Sequence, residues 1–424
     1  MPTQTSALYA LGSNKHGQLG TGHVVDASMP QKCIFDPSLP DSLSSSDDSG
    51  SRTVPFISAG ANHTLVLFDD GAVFAAGDDG VGQCGFGGNS GGDGGSGEGG
   101  STIFKRVEIE AKKAGDVIRL FKACAATWES SVLVTMDSGV YVLGSGDDND
   151  VDDDEGQTMM TGIRRRRSKP RRIEGFPPSG VEIVSLASSM AHVVVVLSNG
   201  EVHGWGNGSK GQLGEPRMAR VWPPRRIEFC FGGGGSSSMG VKVKEKEKVL
   251  GVTCGKEFTF IYGYDSGGGI DGHAMLGGKK WGISDAVPTS LPPFMDIRAG
   301  WNGVFVLRKD GGVVSWGRNN FQQLGPRGLE DIRAFAPGSE HVVALTGDGK
   351  AYLWGWGEHG NCGPFSDVER KGRGGYVELE VGCGMWIEAV GAGCATSFLL
   401  VGATGRQGRE GLVDFEFRLR GVER

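Results

Sequence analysis

No stretch of this 424-residue chain approaches the roughly 20 consecutive apolar residues that a membrane-spanning helix needs. Its longest such run, Ala191 to Leu197, fits a buried strand. The opening MPTQTSALYA has neither the basic start nor the apolar stretch of a secretory leader, so cytoplasmic or nuclear residence is expected. CxxC pairs are missing. The eight cysteines (Cys33, Cys84, Cys124, Cys230, Cys254, Cys362, Cys383, Cys394) are scattered and read as buried or half-buried free thiols of a reducing compartment. Excess positive charge is lacking too: 43 Lys and Arg against 50 Asp and Glu leave a net −7, which argues against a general nucleic-acid binder. No nucleophile elbow and no carboxylate pair outside turns stands out. The expectation is a non-enzyme, without cofactor or metal.

Glycine, by contrast, is abundant: 75 residues, more than twice the usual share of about 7%. Much of it sits in a recurring phrase. Phe56 to Gly85, Ile183 to Gly214, Asp296 to Gly325 and Asp331 to Gly363 are variants of one unit, and a period of about 20–50 residues signals a solenoid, propeller or array. Each unit carries two short apolar runs joined at Asp70-Gly71, Asn199-Gly200, Asp310-Gly311 or Asp348-Gly349, where glycine allows the positive φ of a tight hairpin. A strand before the hairpin and a short Gly-Gln-Leu-Gly strand after it complete a four-stranded antiparallel meander. One such sheet cannot bury both faces, so the units stack radially.

First-strand phrases begin near Phe56, Arg119, Ile183, Val249, Asp296, Asp331 and Ile387, which makes seven. The last lacks its second half, and Leu8 to Gly22 is a second half without a first. The fold expected is all-β: a single seven-bladed β-propeller over residues 1–424, its last blade closed by N- and C-terminal strands. Inserts expected to be disordered fall at about 38–53, 87–101, 147–170 and 232–246, by their Gly/Ser-rich or like-charged composition. Among them, Asp147 to Glu155 is acidic. Arg164 to Arg172 is basic and fits a solvated run, an import address or a polyanion contact.

GxGxxG occurs at Gly80–Gly85, Gly206–Gly211 and Gly355–Gly360, but always between strands at one place in the repeat. A dinucleotide site needs a helix N-terminus there, so these glycines serve turns. His63, His192 and His341 share one repeat position and read as structural hydrogen-bonders. Trp205, Trp316 and Trp354, each just before a glycine, read as core.

In a meander, connections alternate between the two rims of the ring. Strand 1–2 and strand 3–4 loops share the first rim; hairpins and blade-to-blade connections share the second. The stretches Thr21–Pro55, Phe86–Ile118 and Glu215–Lys248 are expected on the second, leaving the first compact and suited to binding. It carries residues beyond what turns require: Trp301 and Asn302, Trp128 and Glu129, Lys256 and Glu257, Asn320 and Phe321, and Trp356 with Glu358 and His359. Tryptophan amid charge is typical of an interface hot spot, although packing of Trp128 and Trp301 into the channel is the competing reading.

The elements Ala59-Gly60-Ala61-Asn62-His63, Asp310 to Gly317 (DGGVVSWG) and Asn14 to Gly20 (NKHGQLG) resemble the repeat of the regulator of chromosome condensation family of seven-bladed propellers. The resemblance is weakest over Val249 to Trp281 and where Ala126-Thr127-Trp128-Glu129 replaces GxxH. Among bare single propellers of that family the chain is most similar to the fungal alpha-tubulin suppressor type. That likeness implies a small zinc-binding partner and a regulatory role in diphthamide synthesis and Elongator-dependent tRNA wobble-uridine modification. The alternative that the family implies is a guanine-nucleotide exchange factor for a Ran-type small GTPase.

Overall fold

The computed structural model describes residues 5–36, 56–86, 99–110, 116–145, 168–231, 248–264, 271–326, 328–364, 375–382, 384–403 and 417–421. Seven antiparallel sheets form a seven-bladed β-propeller. The first blade holds Phe56–Ala59, His63–Leu67, Val73–Gly77 and Ser101–Arg106. The second and third blades begin at Phe121–Ala126 and Ile183–Ser188 and likewise have four strands. The fourth and fifth, beginning at Lys248–Gly255 and Phe294–Gly300, show three among the described residues. The sixth, beginning at Ile332–Pro337, gains a fifth strand, because Phe417–Gly421 pairs antiparallel with Tyr376–Val381 on its outer edge.

The seventh blade closes the ring as expected. Its order is Ala27–Lys32, Thr5–Gly12, Thr396–Ala403, Met385–Ala392. The N-terminal strand runs in unbroken register against the C-terminal one, from Thr5 opposite Ala403 to Gly12 opposite Thr396. Joining the ends this way removes two exposed sheet edges.

Seven apolar cores fill the seven gaps between neighbouring sheets. The gap between the first two blades, for example, packs Leu65, Val73, Phe121, Cys124 and Leu133. Each sheet thus buries both faces only because it has two neighbours. Trp205, Trp316 and Trp354 are core residues. Seven cysteines are free thiols, five of them buried; Cys383 lies outside the described residues.

A polar latch crosses three of the gaps. Nε2 of His63, His192 and His341 lies 2.9, 3.1 and 3.0 Å from the hydroxyls of Ser131, Thr259 and Ser397 on the next blade. Each hydroxyl donates in turn to a main-chain carbonyl, of Gln83, Gln212 and Asn361 respectively. The hydroxyl proton is committed to that carbonyl, so the imidazole donates through Nε2. Nδ1 of His63 and of His192 is buried without a hydrogen-bond partner. Burial pushes His63 and His192 down to about 4, with the Asp78 charge partly opposing this at His63.

One expectation needs correction. The Gly-Gln-Leu-Gly segment is a turn, not the fourth strand. Its own side chains satisfy its backbone: Gln18, Gln83, Gln212 and Gln323 accept from the N–H two residues earlier, and Asn14, Asp79 and Asn319 from the N–H five residues later. Leu19 and Leu213 plug the core below. The fourth strand comes later, at Ala27–Lys32, Ser101–Arg106 and Val221–Arg226. Phe86 and residues 99–100 therefore belong to a strand 3–4 connection on the first rim, not the second, as do residues 21–26 and 215–220. Most of the four proposed inserts and the run Asp147 to Glu155 lie outside the described residues. At their ends Ser101 opens a strand, Ser168 bonds to Val81 and Gly144, and Arg171–Arg172 pairs with the second blade.

Candidate functional site: the first rim

The loops between first and second strands converge on the mouth of a central channel of about 600 Å³, lined by the small side chains of first strands from every blade. Backbone bonds tie these loops blade to blade. Trp128 N donates to Met190 O, Trp301 N to Ser339 O, and Ser339 N to Gly393 O. The position after the glycine is thus fixed by its neighbours while its side chain is free to vary.

At the mouth, Trp128 of the second blade and Trp301 of the fifth meet across the ring, centroids 5.5 Å apart and planes tilted by 32°. Lys256 of the fourth blade places its Nζ 5.0 Å from the Trp301 ring. Trp128 remains 36% exposed and Trp301 is half-buried, and both line the channel at its opening.

A second cluster runs along the fourth to seventh blades. Arg318 lies over Trp281 at 4.5 Å and over Phe321 at 5.6 Å. Phe321 approaches Trp356 (6.1 Å), Trp356 meets His359 edge-on (5.9 Å), and His359 Nδ1 reaches Asp26 at 3.3 Å. Beneath this strip sits Glu340, 9% exposed. Its carboxylate accepts from Asn302 Nδ2 (2.6 Å), Arg318 Nη1 (3.0 Å) and Gln323 Nε2 (2.7 Å). A buried carboxylate with three donors orients every side chain that binds it.

The structure therefore brings together Trp128, Trp301 and Lys256 in one group, and Asn302, Phe321, Trp356 and His359 in another. Asn320 supports the second by accepting from Gln323. Glu129 lies beside Ser145, with Oε2 3.4 Å from its hydroxyl, while Glu257 and Glu358 join neither group. Reading the sequence alone misses Glu340, Arg318, Asp26 and Trp281, the last 51% exposed. Glu340 stands directly before the latch residue His341, in the slot that Asn62, Glu129, Ala191 and Asn302 share, and that alignment is the signal available for it. Lys210, Lys279 and Lys280 are exposed on the same side and add to Lys256 and Arg318 over the third to fifth blades. Among the described residues no group of three or more His, Cys, Asp or Glu could hold a metal ion, and no helix is long and apolar enough to cross a membrane.

Seven radially stacked meanders with a varied, aromatic and charged rim define a repeat propeller. Its repeats match the "Regulator of chromosome condensation (RCC1) repeat" at residues 56–83, 183–212 and 296–323, and in a second form at 6–67 and 199–262. The chain thus carries repeats of the regulator of chromosome condensation type over those residues. It is 28% identical to an RCC1 repeat-containing protein of Schizosaccharomyces pombe, over 93% of this chain and 98% of that one. It is 24% identical to the secretion-regulating guanine nucleotide exchange factor of Bos taurus, over 91% of this chain and 82% of that one. Among solved structures it is similar to Prp20p of Saccharomyces cerevisiae, described with its binding to Gsp1p and histones. That likeness has a TM-score of 0.65, 19% identity, and covers 96% of this chain and 94% of the other.

Proposed function

We propose that the chain is a non-enzymatic protein-binding propeller that holds an acidic partner on its first rim. The observation that carries this reading is the Trp128–Trp301–Lys256 group over the channel mouth, backed by Arg318 on its buried carboxylate. Large rings held rigid by backbone ties, beside cations, are what an interface anchor needs. The partner this reading favours is the small zinc-binding protein of diphthamide synthesis. Through it the propeller would regulate diphthamide formation and the Elongator-dependent modification of tRNA wobble uridines. What supports this finer assignment is the cationic and aromatic first rim, Lys256 beside Trp301 and Trp128, which suits an acidic partner.

A second reading is a guanine-nucleotide exchange factor for a Ran-type small GTPase, favoured by the name of the Bos taurus relative and by the described binding of Prp20p to Gsp1p. One experiment separates the two. The purified chain is used as bait in fungal extract, and fluorescent-nucleotide release from a Ran-type GTPase is followed in parallel. Recovery of the zinc protein with Elongator subunits and no accelerated release supports the first reading. Accelerated release with capture of nucleotide-free GTPase supports the second, and neither outcome leaves both refuted.

A further inference from the structure

The fifth blade lacks what the others have on their outer edge. In the first, second and third blades a fourth strand pairs there, and Val107, Ile173 and Ile227 donate main-chain N–H groups to the carbonyls of Val73, Val140 and Val202 respectively. The sixth and seventh blades also have a fourth strand. The fourth blade has none among the described residues, but a following segment covers its edge: Ile283 and Leu291 are buried in the core, and His273 Nε2 lies 3.0 Å from Pro288 O. The fifth has neither. Past the turn ending at Gly325, residues 326 and 328–330 form no strand, and Leu329 packs against the core between the fifth and sixth blades. The third strand, Val313–Gly317, is therefore an open edge. Arg308 N donates to Gly312 O at the hairpin, so by antiparallel alternation Val314 and Trp316 bond to the second strand, while Val313 and Ser315 turn their main-chain groups outward. Among the described residues these groups have no outer partner. Val313, Val314 and Ser315 are half-buried, whereas the third strands of the first two blades are buried throughout. The edge is not blunted: VVSWG holds no charge and no proline, and its ladder to Gly303–Arg308 has no bulge. A bare edge of this kind is a template for an added strand.

The other blades show what fits such an edge. Three fourth strands end in two basic residues, an aliphatic one and a glutamate: Lys105 to Glu108, Arg171 to Glu174 and Arg225 to Glu228. The aliphatic residue is buried in the core each time. The second basic residue stands opposite Phe74, Tyr141 or His203, the second position of the third strand. From there Arg226 reaches Glu201 beside the hairpin, at 2.8 Å. The sixth blade exchanges the signs, with Glu378 opposite Tyr352 and 3.1 Å from Lys350. In the fifth blade the hairpin carries Asp310, its side chain 59% exposed and bonded within the hairpin to Arg308 and the Gly312 N–H. A basic residue opposite Val314 would come beside that carboxylate, and an aliphatic one opposite Val313 would complete the core. We propose that the outer edge of the fifth blade is a strand-addition site, taken by an extended segment of a partner protein that carries two adjacent basic residues followed by Val or Ile. It stands independently of the first-rim reading.

Fluorescence anisotropy of the full chain with a labelled peptide of residues 102–109 (TIFKRVEI), a fourth strand supplied in trans, tests this. Saturable binding with a Kd below about 100 μM is expected. Ser315→Pro removes an outward N–H, a change that edge strands tolerate, and the Ser315 hydroxyl bond to Leu324 O. The melting temperature should fall by no more than about 4 °C, while the peptide binds at least about 10-fold more weakly. The same loss is expected with the wild-type chain when the peptide is N-methylated at Val107, which then cannot donate to Val313. It is expected again when the peptide carries Lys105→Glu and Arg106→Glu. These two peptides keep the test decisive even if Ser315→Pro does not fold. Absence of saturable binding overturns the proposal. So does binding that survives Ser315→Pro in folded protein, the N-methyl group or the charge reversal.

Discussion

Acidification should loosen the ring through the histidine latches. In the native state the imidazoles of His63 and His192 are buried neutral, with values near 4 against 6.5 for the ordinary group. Protonation would add a proton at Nδ1, which has no acceptor. Because the folded-state value is depressed, the unfolded chain binds more protons at any pH between about 4 and 6.5. Stability is then full above 6.5 and falls as pH drops through that window. Between pH 7 and pH 5 each histidine loses about 2 kcal/mol by this linkage, so the pair loses about 4 kcal/mol. That is a large share of a total stability on the order of 5–15 kcal/mol. For a chain of this length it lowers the melting temperature by about 4 °C, from an unfolding entropy of roughly 2 cal/mol/K per residue. The assay is a thermal melt at pH 7, 6 and 5 of the wild type and of His63→Gln with His192→Gln. Glutamine keeps an N–H for the hydroxyl but cannot titrate. The double variant should be less stable at pH 7 yet show a pH dependence flatter by about 4 °C. If it keeps the wild-type dependence, the latches are not what acid attacks.

Three further outcomes follow from the site and the closure. Trp301→Ala should abolish capture of the first-rim partner with a melting temperature within about 2 °C of wild type; a large drop with capture intact would show a core indole. Glu340→Ala leaves Arg318 without its buried carboxylate and should cost about 3 kcal/mol, read in denaturant unfolding, together with loss of partner capture. An unchanged midpoint would mean that the three donors orient themselves. Deleting residues 1–12 strips the register from Thr5 to Gly12 and should give insoluble protein or a melt more than about 10 °C lower. A soluble ring with an unaltered melt would refute closure by that strand.

What the sequence discloses is what every blade must satisfy. Glycines at the hairpins and apolar runs of strand length recur because seven gaps impose the same demands, and in three blades a histidine opens the second strand. Seven blades and their composite closure were therefore legible. The fourth strand was not, because Gln18, Gln83 and Gln212 make a turn of a segment whose composition also suits a strand. The distance from that turn to the strand differs in each blade and carries no repeat signal. The first rim was half legible. Trp128 and Trp301 stand out by rarity, but their contact across the ring depends on blades far apart in the chain. Glu340 was invisible as a site residue because its donors come from a different blade, and only the fold aligns Asn302, Arg318 and Gln323 on it.

The pairing of Thr5 with Ala403 also sets a timetable for biosynthesis. At about 5–20 residues per second, the first strand leaves the ribosome on the order of 20–80 seconds before its partner has been made. Throughout that interval Leu8, Tyr9 and Leu11 wait on an open edge while six blades assemble beside them. Their first competitors are other nascent chains, so demand for chaperones should peak just before the last forty residues emerge.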